Sequence, residues 1–564
     1  MTSTAQQIAI SNAQLGGITK VVAYAGTGKT TTLEALSKTQ AKRGLSSLYL
    51  AFNKGAEQEA KNRFPRDWVT VKTINGLAHG LVSPRYKAKF RPYSLKSIEV
   101  IKLMGLSWNW LFAKTVLDTL NYWCSSDLEV FPTSAESIQG APMGTPDMLR
   151  YAAVVAMQLW HRMIDLHDEV PISHDGILKI YQLSKPKLSY PYVMLDEAQD
   201  TNRVTWDILK RQTAPLVIVG DPYQSIYQFR GAYNAMDDVV AQQSFPLTQS
   251  FRFGQDVADI ANTLLWGFYS ETTPLEGLGP NTRVGPIDPA QPHAVISRTN
   301  AAIFTQAVVA MPEGKKIGFI GGVLSYNFGK IIDAWFLRAG EKSMIKDSFL
   351  KDFNNFEDLA EYATSANDME IKRTIEAIQI YGSEVIDIVP ALHAACVTDL
   401  SKAHITFSTA HKCKGATLRS VRLANDFPSL LNDYGEMLGK DVLDRQEVNL
   451  LYVAITRATH DLQLNNSTLK FLETMEMDVD RFSNDPWTVQ HAVDVAPPKR
   501  IETPAAPAPA IPKSWLPENG QLPGTFFLES PKAVVPAQAP SNVLAEVPTA
   551  AKKKFLKNQF DLFS

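Results

Sequence analysis

"ITKVVAYAGTGKTTTLEALSKTQAKRG" (18–44) passes from a β-branched run, through two glycines, into apolar and alanine positions at helical spacing, with Gly44 as the stop. It reads as strand, loop and helix. Within "AYAGTGKTTT" (23–32), Gly26 and Gly28 let backbone N–H groups turn inward on phosphate oxygens. Lys29 reaches the β/γ-phosphates and Thr30 offers its hydroxyl to Mg²⁺. Ala25, Gly26, Thr27, Gly28, Lys29, Thr30 and Thr31 form the expected nucleotide-binding set, with ATP and Mg²⁺ as cofactors. Ala23 stands where the strict pattern has its first glycine, so the strand before and the helix after carry the reading.

Working outward, "LSSLYLAF" (45–52), "YPYVMLDEA" (190–198) and "APLVIVGD" (214–221) are nearly continuous apolar runs that end in polar residues. Such runs suit strands buried on both faces of a parallel sheet, whose chemistry lies beyond their C-terminal ends. A second α/β set follows in "HAVISRTNAAIFTQAVVA" (293–310) and "HITFSTAHKCKGATLRSVRLANDF" (404–427). The expected fold class is α/β, with two parallel-sheet cores. The first covers 1–80 and 185–247 around a helical insertion at 81–184; the second covers 248–321 and 402–488 around a shorter insertion at 322–401. From Pro497 to Pro548, twelve of the 33 prolines fall close together, so 489–564 reads as a disordered Pro/Ala-rich tail.

At 564 residues, 45% hydrophobic and 20% charged, the chain is expected to fold as several globular domains. It shows no run of roughly eighteen apolar residues and no signal-peptide pattern, so the cytoplasm is expected and a membrane is not. Cys124, Cys396 and Cys413 lie far apart without metal-ligand spacing and read as buried or idle thiols. A net charge of −2 gives nucleic acid no general attraction, so any DNA must be held by a local groove.

"VMLDEAQD" (193–200) sets two adjacent carboxylates at the end of a buried strand. Asp196 is suited to hold Mg²⁺ through water, and Glu197 to orient and deprotonate the water that attacks the γ-phosphate. Alone, an Asp-Glu pair is more often a solvated strand end. Beside a phosphate loop, the catalytic reading prevails.

"AGTGKTTT", "LAFNKGAEQEAKNRF", "LDEAQD", "VGDPYQSIYQFRGA", "LTQSFRF", "ISRTNA", "STAHKCKG" and "LLYVAITRA" stand in the order and approximate spacing of the superfamily 1 DNA helicases. Over about residues 3 to 470 the chain resembles the UvrD/Rep branch, and within it the compact F-box DNA helicase type. The resemblance implies two RecA-like cores with ATP between them, and 3′→5′ movement on single-stranded DNA in replication, repair or recombination. It implies that Gln6 reads the adenine, with Gln7 as the alternative, and that Gln224 senses the γ-phosphate. Arg252 and Arg457 are similar to the two arginines that the second core presents to that phosphate. Lys29, Glu197, Gln224, Arg252 and Arg457 are thus the expected catalytic set, with Thr30 and Asp196 on the metal.

For DNA, Phe52, Tyr227 and Phe229 resemble the aromatics on which single-strand bases stack. Thr73, Arg230, Thr409, His411 and Lys412 are the implied phosphate or base contacts, and single-stranded and tailed duplex DNA the implied partners of a monomeric motor. Asn75 stands where the family writes histidine, and Thr417 where it often has a ribose-holding glutamate. No carboxylate cluster of a fused nuclease follows "LLYVAITRA". Two alternatives stay open: a translocase that strips proteins from DNA, and a clamp-binding interaction protein with weak ATPase. The end of the chain bears on the latter. "QFDLF" (559–563) resembles the bacterial sliding-clamp-binding pentapeptide, Gln559 bonding at a pocket rim, Leu562 and Phe563 filling an apolar cleft, with Phe560 and Asp561 between. Packing of the tail on the protein's own core is the competing reading.

Overall fold

The structure is a computed structural model that describes residues 3–106, 110–135, 145–228, 231–311, 314–365, 368–479 and 482. Two units separate, 1–494 and 495–564, and the second lies wholly outside the described residues. The proline-rich stretch and the pentapeptide 559–563 fall there.

The first sheet contains β1 (Ile18–Ala23), β2 (Ser47–Ala51), β3 (Val69–Thr73), β4 (Tyr192–Leu195), β5 (Leu216–Gly220) and β6 (Gln243–Leu247). Its order is β3-β2-β4-β5-β1-β6, and every pairing is parallel. β2, β4 and β5 are buried at every position, as their unbroken apolar runs require of strands covered on both faces. Because β1 and β4 both flank β5 in parallel, their C-terminal ends lie side by side at one edge. That edge carries the loops 24–28, 196–201 and 221–228.

A short pair, β7 (Gln249–Ser250) with β8 (Glu276–Gly277), precedes the second sheet. The second sheet contains β9 (Arg283–Val284), β10 (His293–Ser297), β11 (Ile317–Phe319), β12 (Cys396–Val397), β13 (Ile405–Thr409), β14 (Leu418–Leu423) and β15 (Ala458–Gln463). It is ordered β12-β11-β13-β10-β14-β15-β9, again all parallel. The segment 322–401 is mainly helical, but it ends in β12, which pairs with β11. A two-residue edge strand has no periodicity to read. Among the described residues no helix is long and apolar enough to cross a membrane. Cys124 and Cys413 are buried and Cys396 half-buried, all free thiols.

Between β3 and β4, the helices Ile74–Tyr86, Ser97–Met104, Trp110–Ser125, Pro146–Ile164 and His174–Leu183 gather around their own apolar core. Trp123 is its centre, fully buried, with Trp160 edge-on at 6.0 Å. The Lys179 ammonium lies 3.9 Å from the Trp123 ring centroid and donates to the carbonyls of Ser126 and Leu128. Burial lowers this ammonium to about 8, and the carbonyls and ring face replace the water it has lost. Trp123→Ala is expected to cost about 3–5 kcal/mol within this helical unit. Hydrogen exchange should show protection lost in Trp110–Ser125 and retained in β1 and β5; unchanged protection in that helix would refute a core centred on Trp123.

Candidate active site between the two sheets

The phosphate loop follows β1, and Gly26 and Gly28 both adopt left-handed backbone, at φ +77° and +82°. At Gly26 a Cβ would stand 2.4 Å from Ser250 Oγ and 2.7 Å from Arg252 Cβ. The residue is therefore needed twice, for the turn and for the approach of the 250–252 segment, whose Phe251 N–H donates to the Gly26 carbonyl at 3.0 Å. Gly28 caps the helix Lys29–Lys42, leaving the first-turn N–H groups of that helix directed at the loop. Thr27 turns its hydroxyl onto the Tyr24 carbonyl, and Thr31 accepts from Arg63 at 2.8 Å. Thr30 lies in the first turn, half-buried.

Lys29 Nζ is 3.2 Å from Glu197 Oε1. Burial opposes its charge, but the carboxylates of Glu197, Asp221 and Asp196 outweigh burial and hold the ammonium above its usual range. Beyond β4, burial and the neighbouring Glu197 charge push Asp196 up. Its carboxylate accepts from the Tyr49 hydroxyl and, at 2.9 Å, from the Glu197 N–H. Burial alone would raise Glu197 too, but Lys29 and Lys414 hold it well below the usual carboxylate range. Glu197 sits in left-handed backbone at φ 52°, an uncommon conformation for its residue type, and Gln199 donates to its carboxylate. These oxygens form a hard donor set beside a phosphate loop, which fits Mg²⁺ held by one or two carboxylates plus phosphate. Among the described residues no group of three or more His, Cys, Asp or Glu could hold a metal alone.

The second sheet brings its own charges to this edge. Arg252 Nη1 donates to the Thr456 carbonyl at 3.1 Å, and burial together with Arg457 lowers its guanidinium to about 9. Arg457 is 1% exposed and donates to the carbonyls of Val453 and Ala416, to Thr456 Oγ1 and to Gln224 Oε1. Every one of these acceptors is neutral, so buried Arg457 and half-buried Arg252 both lack full compensation of their charge. Gln224 closes the circuit by donating to Asp221 Oδ2 at 2.7 Å. Lys414 pairs with Asp200, which burial nevertheless raises to about 6, and donates to the Gln224 carbonyl.

Gln6 is tied to Thr248, donating to its hydroxyl and accepting from its N–H, both at 2.9 Å. Gln7 is buried, completes the capping box of its own helix and donates to the Thr27 carbonyl. Both glutamines therefore stand beside the loop or the segment leading to Arg252.

On the track expected for DNA, Phe52 is 44% exposed and lies nearly parallel to Tyr227, ring centroids 6.0 Å apart. The Tyr227 hydroxyl donates to the His411 carbonyl, and the Lys414 ammonium lies 5.1 Å from the Tyr227 ring. Lys412 donates to Ser325 and lies over Tyr326 at 3.6 Å. Thr73 and Thr409 are buried and occupied as local caps, receiving the N–H groups of Gly76 and Lys412. Phe229 and Arg230 lie outside the described residues. Sequence reasoning missed Tyr49, Gln199, Lys414 and Tyr452; the last three stand inside the quoted motifs, where side chains look like filler until their partners are seen.

Residues 161–238 match the UvrD/REP helicase N-terminal domain. The chain is 32% identical over 507 residues to F-box DNA helicase 1 of Gallus gallus, covering 83% of this chain and 49% of that protein. It is 29% identical over 534 residues to F-box DNA helicase protein 1 of Schizosaccharomyces pombe, covering 85% and 59%. A shorter match, 31% over 99 residues, is to a probable DNA helicase II homolog of Mycoplasma pneumoniae, covering 16% of this chain and 14% of that one. Each of these relatives is named as a DNA helicase, and the match at 161–238 is of the UvrD/REP type. The chain spans about half the length of the F-box helicases it matches.

Asp196 would have to give up the proton that burial favours before its carboxylate could hold a divalent cation beside bound nucleotide. A proton-bearing Asp196 becomes commoner as pH falls through its raised range, so Mg²⁺-dependent nucleotide binding is expected to weaken between about pH 7.5 and about 5.5. Calorimetry in buffers of different ionisation heat should show proton release at the lower pH. Asp196→Asn should abolish that release, and a wild type that releases none would exclude Asp196 as the titrating group.

Proposed function

We propose that the protein is an ATP-dependent DNA helicase or translocase that moves 3′→5′ on single-stranded DNA, in replication, repair or recombination. The observation that carries the reading is the meeting of half-buried Arg252 and buried Arg457, cations with neutral hydrogen-bond partners, with the first sheet's loop of Lys29 and its paired carboxylates. The carboxylates there already face Lys29 and Lys414, so the two arginines lack an anion of their own. A nucleoside triphosphate supplies one, and the bound divalent cation would neutralise charge on its phosphates.

On this reading Glu197 must leave Lys29 to act on the attacking water, and Lys29 turns to the phosphates. Arg457 exchanges Gln224 for the γ-phosphate, and Gln224 is joined through its own backbone carbonyl to Lys414, which faces the base-stacking Tyr227. Nucleotide state and grip on DNA thus share one segment, 224–227. Aromatic stacking makes that grip indifferent to sequence.

ATP hydrolysis is expected to be weak alone and strongly stimulated by single-stranded DNA. Lys29→Ala should abolish turnover, and Glu197→Gln should keep nucleotide binding while lowering kcat by about 10²–10⁴-fold. Tyr227→Ala should weaken single-strand binding by about 1–3 kcal/mol. Duplexes with a 3′ tail should be unwound and those with only a 5′ tail ignored. Equal ATPase rates with and without DNA in the wild type would sink the motor reading.

The proposal extends to the chain's end, where "QFDLF" (559–563) would dock on a bacterial-type sliding clamp. The proline-rich stretch before the pentapeptide would serve as a tether that lets the motor work on a nearby strand. Leu562→Ala with Phe563→Ala should remove clamp binding in a pull-down with purified clamp and leave DNA-stimulated ATPase unchanged. Binding retained by the double variant would end the docking-peptide reading.

A further inference from the structure

Four tyrosines from both halves of the molecule meet behind the phosphate loop. Tyr223 is the hub, 5.8 Å from Tyr24, 4.9 Å from Tyr269 and 6.3 Å from Tyr452 between ring centroids. Three of the hydroxyls make ordinary seam contacts: Tyr223 donates to Glu271, Tyr24 to the Thr273 carbonyl and Tyr269 to Asn449. Tyr452 is placed differently. Its hydroxyl accepts from the Ala25 N–H of the phosphate loop at 3.2 Å and donates to Asp221 Oδ2 at 3.1 Å.

Asp221 is fully buried and accepts on the same oxygen from Gln224 Nε2 and on the other from the Tyr223 N–H. Tyr452 lies on the helix Arg445–Ile455, five residues before Arg457, which holds the other end of the Gln224 amide. Tyr452, Asp221, Gln224 and Arg457 therefore close a ring that begins and ends on one helix end of the second sheet's half. The ring leaves that half, crosses the first half's γ-phosphate-sensing segment and returns. Burial and the Asp221 charge keep the Tyr452 phenol protonated, so it remains a donor.

We propose that Tyr452 is a positioning residue that pins Asp221 and the phosphate loop to the second half, so that when Arg457 leaves Gln224 the Gln224 side chain alone swings. This rests on the functional reading above. A hydroxyl has one proton and accepts through lone pairs, and here both capacities are engaged by the first half, at the Ala25 N–H and Asp221. Without it, the Ala25 N–H and an Asp221 oxygen lose a partner in a site closed to water. Asp221 is then free to follow Gln224, and the exchange at Arg457 is dissipated in the segment rather than transmitted along it.

The test is Tyr452→Phe in the full chain, which keeps the ring and its packing. ATPase is measured with and without single-stranded DNA, alongside KM for ATP and thermal melting. The ratio of DNA-stimulated to basal kcat is expected to fall about tenfold, with KM for ATP moving less than about threefold. A purely structural loss would lower the active fraction and scale both rates together, leaving the ratio as in the wild type. Asp221→Asn provides a second arm should Tyr452→Phe fold poorly: it should lower the same ratio, and adding Tyr452→Phe to it should cause little further loss. A wild type that DNA stimulates, with the ratio unchanged in Tyr452→Phe or with fully additive losses, overturns this inference alone. A wild type that DNA does not stimulate overturns the functional reading and this inference with it.

Discussion

Lys29 and Glu197 face each other at 3.2 Å across the mouth of the phosphate loop, and the charges of the cleft are arranged around that contact. Glu197 stays ionised because Lys29 and Lys414 are near; burial first, and then the Glu197 charge, push Asp196 toward its neutral form. Two adjacent carboxylates thus have opposite tendencies, although Lys29 favours the charged form of both. Parallel strand order makes this possible, since β1, β4 and β5 end at one edge and deliver the loop, the carboxylate pair and Asp221 together. An antiparallel neighbour would have sent one of those ends to the far side of the sheet.

The second sheet completes what the first leaves unbalanced. Its arginines, Arg457 buried and Arg252 half-buried, arrive partnered by neutral groups, an arrangement that is unfavourable for a closed protein and favourable for one that receives phosphate. Beside the apolar cluster that the two halves share, contacts across the cleft are polar and specific: Tyr452 on Asp221, Asn449 on the Ser225 carbonyl, Lys414 on Asp200. Hydrogen bonds of this kind exchange partners readily when a charge enters, whereas packed apolar surface resists sliding.

Much of this was legible in the sequence because the local physics is loud. Gly26 and Gly28 before Lys29, and Asp196-Glu197 after an apolar run, announce their backbone needs and their chemistry in a few residues each. The apolar runs at 45–52, 190–198 and 214–221 became β2, β4 and β5, trimmed at their ends. Strands β9 and β12, two residues each, left no pattern to detect. Tyr452 and Lys414 were invisible as actors for another reason: their roles depend on partners more than 180 residues away, and a buried tyrosine looks like core until its hydroxyl is followed. Thr73 and Thr409 show the reverse, since residues expected on DNA have their hydroxyls engaged in capping their own turns.

Gly26 has a consequence for how such a chain can change over time. Its missing Cβ is the clearance between the nucleotide loop and the backbone that carries Arg252. A side chain there would act as a shim, holding the two halves apart by the width of a methyl group even if the loop kept its shape. The glycine therefore sets the gauge of the cleft. Drift at Ser250 or Arg252 is limited by the same clearance, so loop and arginine segment are bound to vary as one part, although 224 positions separate Gly26 from Ser250 along the chain.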